Sequence, residues 1–524
     1  MRSFTSKCII NGTYRLFIYK FSDFVKNNVK KLNIQWLLFS SGMVKRFTVT
    51  DLRREDVFPN LDYRFSNLRE TDTEVVLERD FLGENPLHYY GDIISNELIV
   101  ANNIVEIKDY VEKQQRNFTW ERVRAVSNNT ITTIDELAFN SATPQEEERG
   151  PTLRESEPRL WQYDSGPPHH RPLAPINYTD IQNVGKIVRR LLSYSLEVRL
   201  SDAYGYAYSE YHRIHPSCAG SDAHLESKHI NFETGLLLSG GLDSMSVGYL
   251  LSQTGLGKVT AFTLKVDEDD LDVVKSRELA KRFRIDLSEV KIDHDDSGVS
   301  ITLQRYNHHR DLLYTKKIAE GISLDDAVFE TLKISGNPKK DNVFCAVAMY
   351  LIAPAIIAEG IKTIFCGEGP NEMINDYGYN PHDSGYATDD KGDISFREAL
   401  TFGLKRTDRQ LGRGGLAKHA TARMGKIFAH YGLRLESPYF NQDIARVMTR
   451  LPHSTSYDTI KQHLVGAMFE EEGLDRFIQG TSKEKFQDGS GISRLLRAYN
   501  QQRLIDMFER IYGIKKTGYL KSGK

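Results

Sequence analysis

The sequence has few cysteines, almost no net charge and no long apolar run. Its four cysteines among 524 residues are widely separated and form no CxxC pair, which suits reduced thiols better than a disulfide framework. The formal net charge of -2 provides no basic footprint for nucleic acid and no polybasic membrane patch. The longest apolar stretch, Phe344 to Ala358, contains Pro354 and is too short to span a bilayer, and the N-terminus is too polar for a secretory signal. We therefore expect a cytoplasmic protein without a nucleic-acid or membrane partner.

The composition changes along the chain and indicates two domains. The first 140 or so residues favour short strands bounded by turns, and residues 141–170 are rich in proline, glutamate and serine, as in a linker or surface loop. After Asn231 apolar strands alternate with amphipathic helices, which favours a doubly wound parallel sheet of the α/β class. We place one domain at 1–165 and a second, with a helical C-terminal part, at 175–524.

A polar loop follows the first apolar strand of the second domain. It reads Ser239-Gly240-Gly241-Leu242-Asp243-Ser244 and leads into a predicted helix. Its two glycines let backbone N–H groups approach a phosphate, its two hydroxyls can donate hydrogen bonds, and the helix N-terminus adds a favourable dipole. Its aspartate would repel a bare phosphate, which implies a bridging cation such as Mg²⁺. No lysine follows, so the loop is not the GxxxxGK[ST] loop of kinases, and an ordinary glycine turn is the alternative.

SGGLDS resembles the signature of the PP-loop ATP pyrophosphatases, specifically of the asparagine synthetase superfamily. Further segments resemble that family in the same order: FTL at 262–264, IFCGEGPNEMINDYG at 364–378 and GLRLESPYFNQDIARVMTRLP at 432–452. The resemblance covers about residues 175–500. It implies ATP and Mg²⁺ as cofactors. In such enzymes a substrate carboxylate attacks the α-phosphate of ATP, pyrophosphate remains in the loop, and an amine then displaces AMP to form an amide.

The resemblance also implies roles for single residues. The loop from Ser239 to Ser244 would hold pyrophosphate, the backbone at Leu264 would read the adenine edge, and Gly367 would belong to a second loop at the nucleotide. Glu368 would lie at the reacting carboxyl or act as an acid or base. The acidic run at 267–270 is interpreted instead as a solvated turn that caps the next helix.

Two positions depart from the family pattern. Asp243 and Asn371 are the expected Mg²⁺ ligands, but the family has an aspartate where this chain has Asn371. A neutral amide oxygen is a weaker ligand for a hard cation, so a degenerate, non-catalytic copy is the alternative. Near the end, TSKEKFQDGSG at 481–491 resembles the PK-x5-GSG loop of β-lactam synthetases and lasso-peptide cyclases, in which Lys483 matches the catalytic lysine. Ser482 replaces the proline of that motif, and asparagine synthetases carry a similar stretch, so both branches stay open.

The front half resembles a glutaminase domain. ERDFLGENPLHYY at 78–90 is similar to a strand–turn–strand element of that domain, which implies an α+β sandwich of the N-terminal-nucleophile (Ntn) type. The family's nucleophile is a cysteine at position 2, where this chain has Arg2. We therefore expect a glutaminase-like domain that has lost its nucleophile.

Taken with the resemblance, these features predict an ATP-dependent amide-forming ligase that uses an amine carried by a small-molecule or peptide substrate, in natural-product biosynthesis. An ammonia-dependent asparagine synthetase and a non-catalytic nucleotide- or peptide-binding protein are the alternatives. Glu368 favours the first of these, because β-lactam synthetases have a tyrosine there. A homodimer is one expectation for the assembly.

Overall fold

The computed structural model describes a defined part of the chain, and the statements below refer to it. The described residues are 3–11, 14–22, 35–37, 46–48, 66–70, 74–79, 88–92, 97–101, 104–118, 123–125, 131–135, 154–155, 181–214, 233–255, 257–373, 424–448, 451, 459–478 and 486–513.

The first 155 residues form short antiparallel strands and one helix in their described part. The strands are β1 (Ser3–Asn11), β2 (Tyr14–Ser22), β3 (Gln35–Leu37), β4 (Arg46–Thr48), β5 (Ser66–Glu70), β6 (Glu74–Arg79), β7 (His88–Asp92), β8 (Glu97–Ala101), β9 (Val123–Ala125), β10 (Ile131–Asp135) and β11 (Arg154–Glu155), with helix α1 (Ile104–Lys113) after β8. One sheet has the order β1-β2-β8-β7-β9, another β11-β10-β6-β5, and β3 pairs with β4. The predicted strand-rich front half is therefore observed, while its glutaminase-like fold stays a prediction.

A seven-stranded sheet organises the second half of the chain. Its strands are β12 (Glu233–Leu237), β13 (Lys258–Lys265), β14 (Asp286–Asp295), β15 (Gly298–Tyr306), β16 (Leu312–Ile322), β17 (Thr363–Phe365) and β18 (Arg434–Glu436), in the order β16-β15-β14-β13-β12-β17-β18. The strands from β14 to β18 in this order pair in parallel, as predicted.

The expectation of an entirely parallel sheet is wrong at one side, because β15 and β16 add antiparallel strands. The chain reverses between β14 and β15. There the Asp295 carboxylate accepts the Ser297 backbone N–H at 2.8 Å, and Gly298 has φ +116°, a value that favours glycine. Because this tight turn leaves no room for a crossover helix, β15 must run antiparallel to β14.

Helices cover both faces of this sheet. They are α2 (Ile181–Ile214), α3 (Leu242–Gln253), α4 (Leu271–Phe283), α5 (Leu324–Ser335), α6 (Lys340–Ala358), α7 (Pro370–Met373), α8 (Lys426–His430), α9 (Gln442–Met448), α10 (Thr459–Met468), α11 (Asp475–Ile478), α12 (Phe486–Gly489), α13 (Ile492–Leu495) and α14 (Gln501–Tyr512). Side chains of β13 alternate between the two layers: Phe262 and Leu264 join the core that contains α6, and Ala261 joins the core that contains α2, α3 and α4. The parallel strands are buried between these two helical layers, whereas β16 at the edge is largely exposed, and the whole is an α/β architecture.

Helix α6 explains the long apolar stretch of the sequence. It begins at Lys340, earlier than the predicted stretch, and by length and composition it is the one helix in the described part of the chain that could cross a membrane. However, 13 of its 19 residues are buried against the sheet and its neighbours. It is therefore packed as a core helix against the seven-stranded sheet.

Candidate active site

The predicted phosphate loop lies at the carboxyl end of β12, inside the parallel part of the sheet. The chain leaves the strand through Leu238, and α3 begins at Leu242 with Gly241 as its N-cap. Since Gly241 has no side chain that could cap the helix, the first backbone N–H groups of α3 face the space above the sheet edge. Ligands of α/β sheets bind at this edge, and a helix N-terminus there favours an anion.

The two serines of the loop contact each other across the turn. Ser239 Oγ and Ser244 Oγ lie 3.2 Å apart, and Ser244 Oγ donates to the Gly241 carbonyl at 3.0 Å. The Ser239 backbone N–H also donates to Ser244 Oγ at 3.3 Å. The two hydroxyls therefore stabilise the conformation of the loop and lie next to each other at the start of α3.

Gly240 is required by both conformation and space. Its φ of +73° lies in the left-handed region, and a Cβ at this position would come within 2.3 Å of Lys275 Cβ on α4. The loop thus approaches the next helix so closely that no side chain fits between them.

A second loop, Cys366 to Gly369, follows β17 and packs directly onto the phosphate loop. β17 pairs in parallel with β12, so both loops leave the same edge of the sheet. A Cβ on Gly367 would lie 2.5 Å from both the Asp243 carbonyl carbon and the Ser244 backbone nitrogen. The two predicted loops are therefore in backbone contact, as expected for parts of one site.

The last residue of β18 and the residue after it bind the second loop through two hydrogen bonds. The Cys366 backbone N–H donates to the Glu436 carbonyl at 2.9 Å, and Ser437 Oγ donates to the Glu368 carbonyl at 2.5 Å. Glu368, the predicted acid or base, is half-buried on this loop. Its position next to Gly367 places it beside the phosphate loop.

The structure adds a residue that sequence reasoning missed, Lys461 of α10. Its Nζ donates to Asp243 Oδ2 at 2.5 Å and also to Asn371 Oδ1, although these residues are far apart in the sequence. The lysine is only 7% exposed. One sequence signal points to it: Lys461 occupies the apolar stripe that Leu464, Val465 and Met468 form on α10.

The predicted metal ligands are therefore brought together, but around an ammonium group. Asp243 and Asn371 offer one carboxylate and one amide oxygen, and both face Lys461. No group of three or more His, Cys, Asp or Glu residues suited to a metal occurs among the described residues. Mg²⁺ normally requires near-octahedral oxygen coordination. This arrangement fits an ammonium better than a divalent ion, and Mg²⁺ on these two residues stays a prediction.

Tyr439 is a buried residue that feels the charge of Asp243. Burial together with the nearby Asp243 charge raises the pKa of its phenol well above the ordinary value. It therefore stays neutral and acts as a packing and hydrogen-bonding group at physiological pH.

The predicted adenine strand, β13, lies beside β12, and Leu264 near its end is buried. Lys265 follows and is buried in an ionic cluster: its Nζ contacts Glu289 at 2.9 Å and Gln304 at 2.8 Å. Arg277 of α4 also binds Glu289. Burial opposes ionisation of Glu289, but the hydrogen bonds from Arg277 and Lys265 lower its pKa to about 2. This cluster connects the end of β13 to β14, β15 and α4.

The acidic run after β13 forms the predicted turn before α4: residues 267–269 are exposed and Asp270 is the N-cap residue, although its side chain makes no hydrogen bond to the helix. Asp270 is buried, and its carboxylate accepts the backbone N–H groups of Val266 at 3.0 Å and Asp267 at 2.8 Å, so it stabilises the turn before α4. It also pairs with Arg494, and a Cβ on Gly491 would come within 2.7 Å of it. The predicted Gly489–Gly491 segment is therefore packed against the start of α4.

Part of the predicted site lies outside the described residues. Lys483 falls between the described ranges, as does the first part of the 481–491 segment. The proposed role of Lys483 stays a prediction.

A glycine-rich loop between a central parallel strand and a helix, with a second loop in backbone contact, defines an α/β domain built to bind an anionic ligand. Comparison with known families goes further: residues 229–322 match the family described as asparagine synthase. This match supports membership of the asparagine synthetase superfamily, whose members are ATP-dependent carbon–nitrogen ligases. The predicted family resemblance is confirmed, although its branch is not.

The matched segment extends from just before β12 to the end of β16. It contains the phosphate loop and Leu264, whereas Gly367, Glu368 and Asn371 lie beyond it. The structure connects these residues to the phosphate loop. Gly367, which precedes Glu368, contacts the loop backbone, and Asn371 shares Lys461 with Asp243.

Proposed function

We propose that this protein is an ATP-dependent ligase that activates a substrate carboxylate as an acyl-adenylate and joins it to an amine. The observation that carries the proposal is the backbone contact between Gly367 and the Asp243–Ser244 peptide. This contact places the second loop, with Glu368, against a phosphate loop inside the segment that matches the asparagine synthase family. A nucleotide bound at the phosphate loop would therefore have a carboxylate-bearing loop beside its phosphates.

The chemistry follows from the family reaction. A carboxylate oxygen of the substrate attacks the α-phosphorus, the bond from that phosphorus to the β-phosphate oxygen breaks, and pyrophosphate leaves. The amine then attacks the acyl carbon, the bond from that carbon to the bridging oxygen of the mixed anhydride breaks, AMP departs with that oxygen, and an amide remains. Backbone N–H groups at the start of α3 would hold the pyrophosphate, and Glu368 would take the proton from the amine. Mg²⁺ carried by the nucleotide would neutralise phosphate charge.

We further propose that the substrate itself carries the amine, as in β-lactam synthetases and lasso-peptide cyclases, in natural-product or modified-peptide biosynthesis. The resemblance of residues 481–491 to the corresponding loop supports this branch. The packing of Gly491 on Asp270 would direct that loop towards the adenine side of the site. Glu368 favours the alternative, an ammonia-dependent asparagine synthetase.

The decisive experiment follows ATP labelled at the α-phosphate. AMP and pyrophosphate formed only in the presence of a carboxylate substrate would support the ligase, whereas ADP would contradict it. One arm contains aspartate and ammonium, and the other contains carboxylates that carry their own amine. Amide formation in the first arm alone would support the asparagine synthetase. Binding of ATP without turnover in any arm would support a non-catalytic nucleotide-binding protein, for which Asn371 is the motivating departure.

A matched pair of serine variants connects this activity to the loop. Ser244→Ala removes the hydroxyl that contacts Ser239 and the Gly241 carbonyl. Ser252→Ala removes a hydroxyl at the other end of α3, where it donates to the Tyr249 carbonyl at 2.6 Å. We expect AMP formation to fall by about tenfold or more in Ser244→Ala and to change little in Ser252→Ala. Equal losses would contradict the assignment of the loop.

A further inference from the structure

An ammonium group stands where the sequence predicts a metal ion. Lys461 Nζ lies 2.5 Å from Asp243 Oδ2 and also binds Asn371 Oδ1, so one nitrogen joins the two predicted metal ligands. Its side chain is 8% exposed, and that of Asp243 is 16% exposed. This contact is therefore part of the interior of the site.

The surroundings of Lys461 hold it in this position. Gly185 of α2 packs so closely on α10 that a Cβ there would lie 2.5 Å from Ala467 Cβ. Arg189, one turn further along α2, donates to the Met468 carbonyl at 3.1 Å and closes the end of α10. Because α10 is fixed at its far end, the lysine at its start projects to a defined point.

The position of Lys461 is costly for a purely structural residue. On the same face of α10, Leu464, Val465 and Met468 are buried in the apolar core. A buried lysine must be compensated by a partner, and an apolar side chain would pack there without that need. The positive charge of Lys461 in this position is best explained by its contacts with the Asp243 carboxylate and the Asn371 amide.

One ion pair and one neutral amide meet at this corner. Asp243 contributes one negative charge, Lys461 one positive charge, and Asn371 is neutral. A divalent ion between the same two oxygens would displace the ammonium and find one carboxylate where Mg²⁺ usually finds more anionic ligands. The neutral Asn371 therefore suits the neighbouring Lys461 ammonium better than it suits a divalent ion.

We propose that the Lys461 ammonium is the resident cation of the Asp243–Asn371 pair, and that this pair binds no divalent ion of its own. Any Mg²⁺ would then enter on the phosphates of the nucleotide. This inference replaces the sequence-based prediction of Mg²⁺ on the two residues. It rests on the proposed function only for the identity of the site.

Mn²⁺ alone, without nucleotide, tests the proposal on the full chain by electron paramagnetic resonance and calorimetric titration. We expect wild type and Asp243→Asn to bind the same number of Mn²⁺ ions with the same affinity. We also expect Asn371→Asp, which retains the lysine, to gain no site. The double variant Lys461→Met/Asn371→Asp should gain one Mn²⁺ site at least about tenfold tighter than any in wild type, because ligand charge governs affinity.

A Mn²⁺ site in wild type that Asp243→Asn removes would overturn the proposal, and so would a new site in Asn371→Asp. If the double variant fails to fold, as shown by thermal unfolding, these two comparisons still decide the question. Lys426→Met is the control, since Lys426 is also buried but donates to the Ser335 carbonyl at 3.3 Å; it should gain no site. The readout contains no ATP, so a failure of the proposed ligase activity would be seen separately.

Discussion

Arg494 pairs with Asp270 and, at 2.7 Å, with Asp267, and so joins α13 to the turn before α4. Asp270 is buried and orders the turn through two backbone N–H groups, whereas the Arg494 side chain is 55% exposed. The pair thus connects the end of the adenine strand with the segment that follows the predicted catalytic loop.

Replacing this arginine should affect turnover more than stability. We expect Arg494→Gln to lower the rate of pyrophosphate release by about tenfold, because a loosened segment positions the reacting groups less well. The free energy of unfolding should fall by less than about 1 kcal/mol, since one partner is largely exposed. Steady-state kinetics and urea unfolding measure the two effects. Arg497→Gln, on the same exposed stretch, is the control, and an equal loss of rate there would contradict a specific role.

Gly367→Ala should damage the contact between the two loops. The added Cβ would meet backbone atoms of Asp243 and Ser244 at 2.5 Å, and backbone cannot rotate away as a side chain can. We expect a loss of about 1–3 kcal/mol in the free energy of unfolding, together with weaker ATP binding. Gly466→Ala, in α10 with open space around the new Cβ, should instead stabilise the protein by about 0.5–1 kcal/mol. Urea unfolding and nucleotide titration compare the two, and similar losses would refute the steric argument.

The phosphate loop could be predicted because its signals are local. Glycine and serine mark the turn from β12 to α3 within six residues, and the neighbouring β13 follows from its apolar run. The antiparallel pair β15–β16 was missed, although the Asp295–Gly298 turn and the alternating burial of β15 are also local signals. Such local signals predict a hairpin, but they do not say that β15 and β16 extend the edge of the parallel sheet.

Lys461 could not be predicted, for a different reason. Its contact with Asp243 joins residues 218 positions apart, and no local pattern encodes such a pairing. The sequence carries only the weak hint of a charged residue on an apolar helical stripe. The same holds for Arg199 of α2, which meets Glu436 across 237 positions.

Arg199→Met should destabilise the protein strongly. The guanidinium binds Glu436 Oε2 at 2.7 Å and the Phe440 carbonyl at 2.6 Å, and both charged side chains are almost fully buried. Arg434 also pairs with Glu436 and would remain as its buried partner, so we expect a cost of about 3 kcal/mol that comes from the lost Arg199 ion pair and from the Phe440 carbonyl left without this donor. The double variant Arg199→Met/Glu436→Gln should recover part of that loss. Denaturant unfolding of the full cycle measures the coupling, and strictly additive losses would show that the pair is not coupled.

Glu289 should make folding stability depend on acid pH. Burial opposes its ionisation, but hydrogen bonds from Arg277 and Lys265 lower its pKa from the ordinary 4.5 to about 2 in the folded protein. A carboxyl with a lowered folded-state pKa contributes stability that is complete above its unfolded pKa. That contribution, on the order of 3 kcal/mol, is lost as the pH falls from about 4.5 towards 2.

This contribution is measured by unfolding in urea at pH values from about 7 down to about 3. The steps are about one unit apart at the acid end, where the change occurs. Wild type should lose stability steeply below pH 4.5, and Asp286, whose pKa is also lowered despite its burial by its bond to Lys258, should add to the slope. Glu289→Gln should be less stable than wild type at pH 7, and its stability should fall less steeply with acid, because the titrating group is gone. Parallel curves for the two proteins would show that the pKa of Glu289 is the same in the folded and unfolded states, which would contradict its lowering by Arg277 and Lys265.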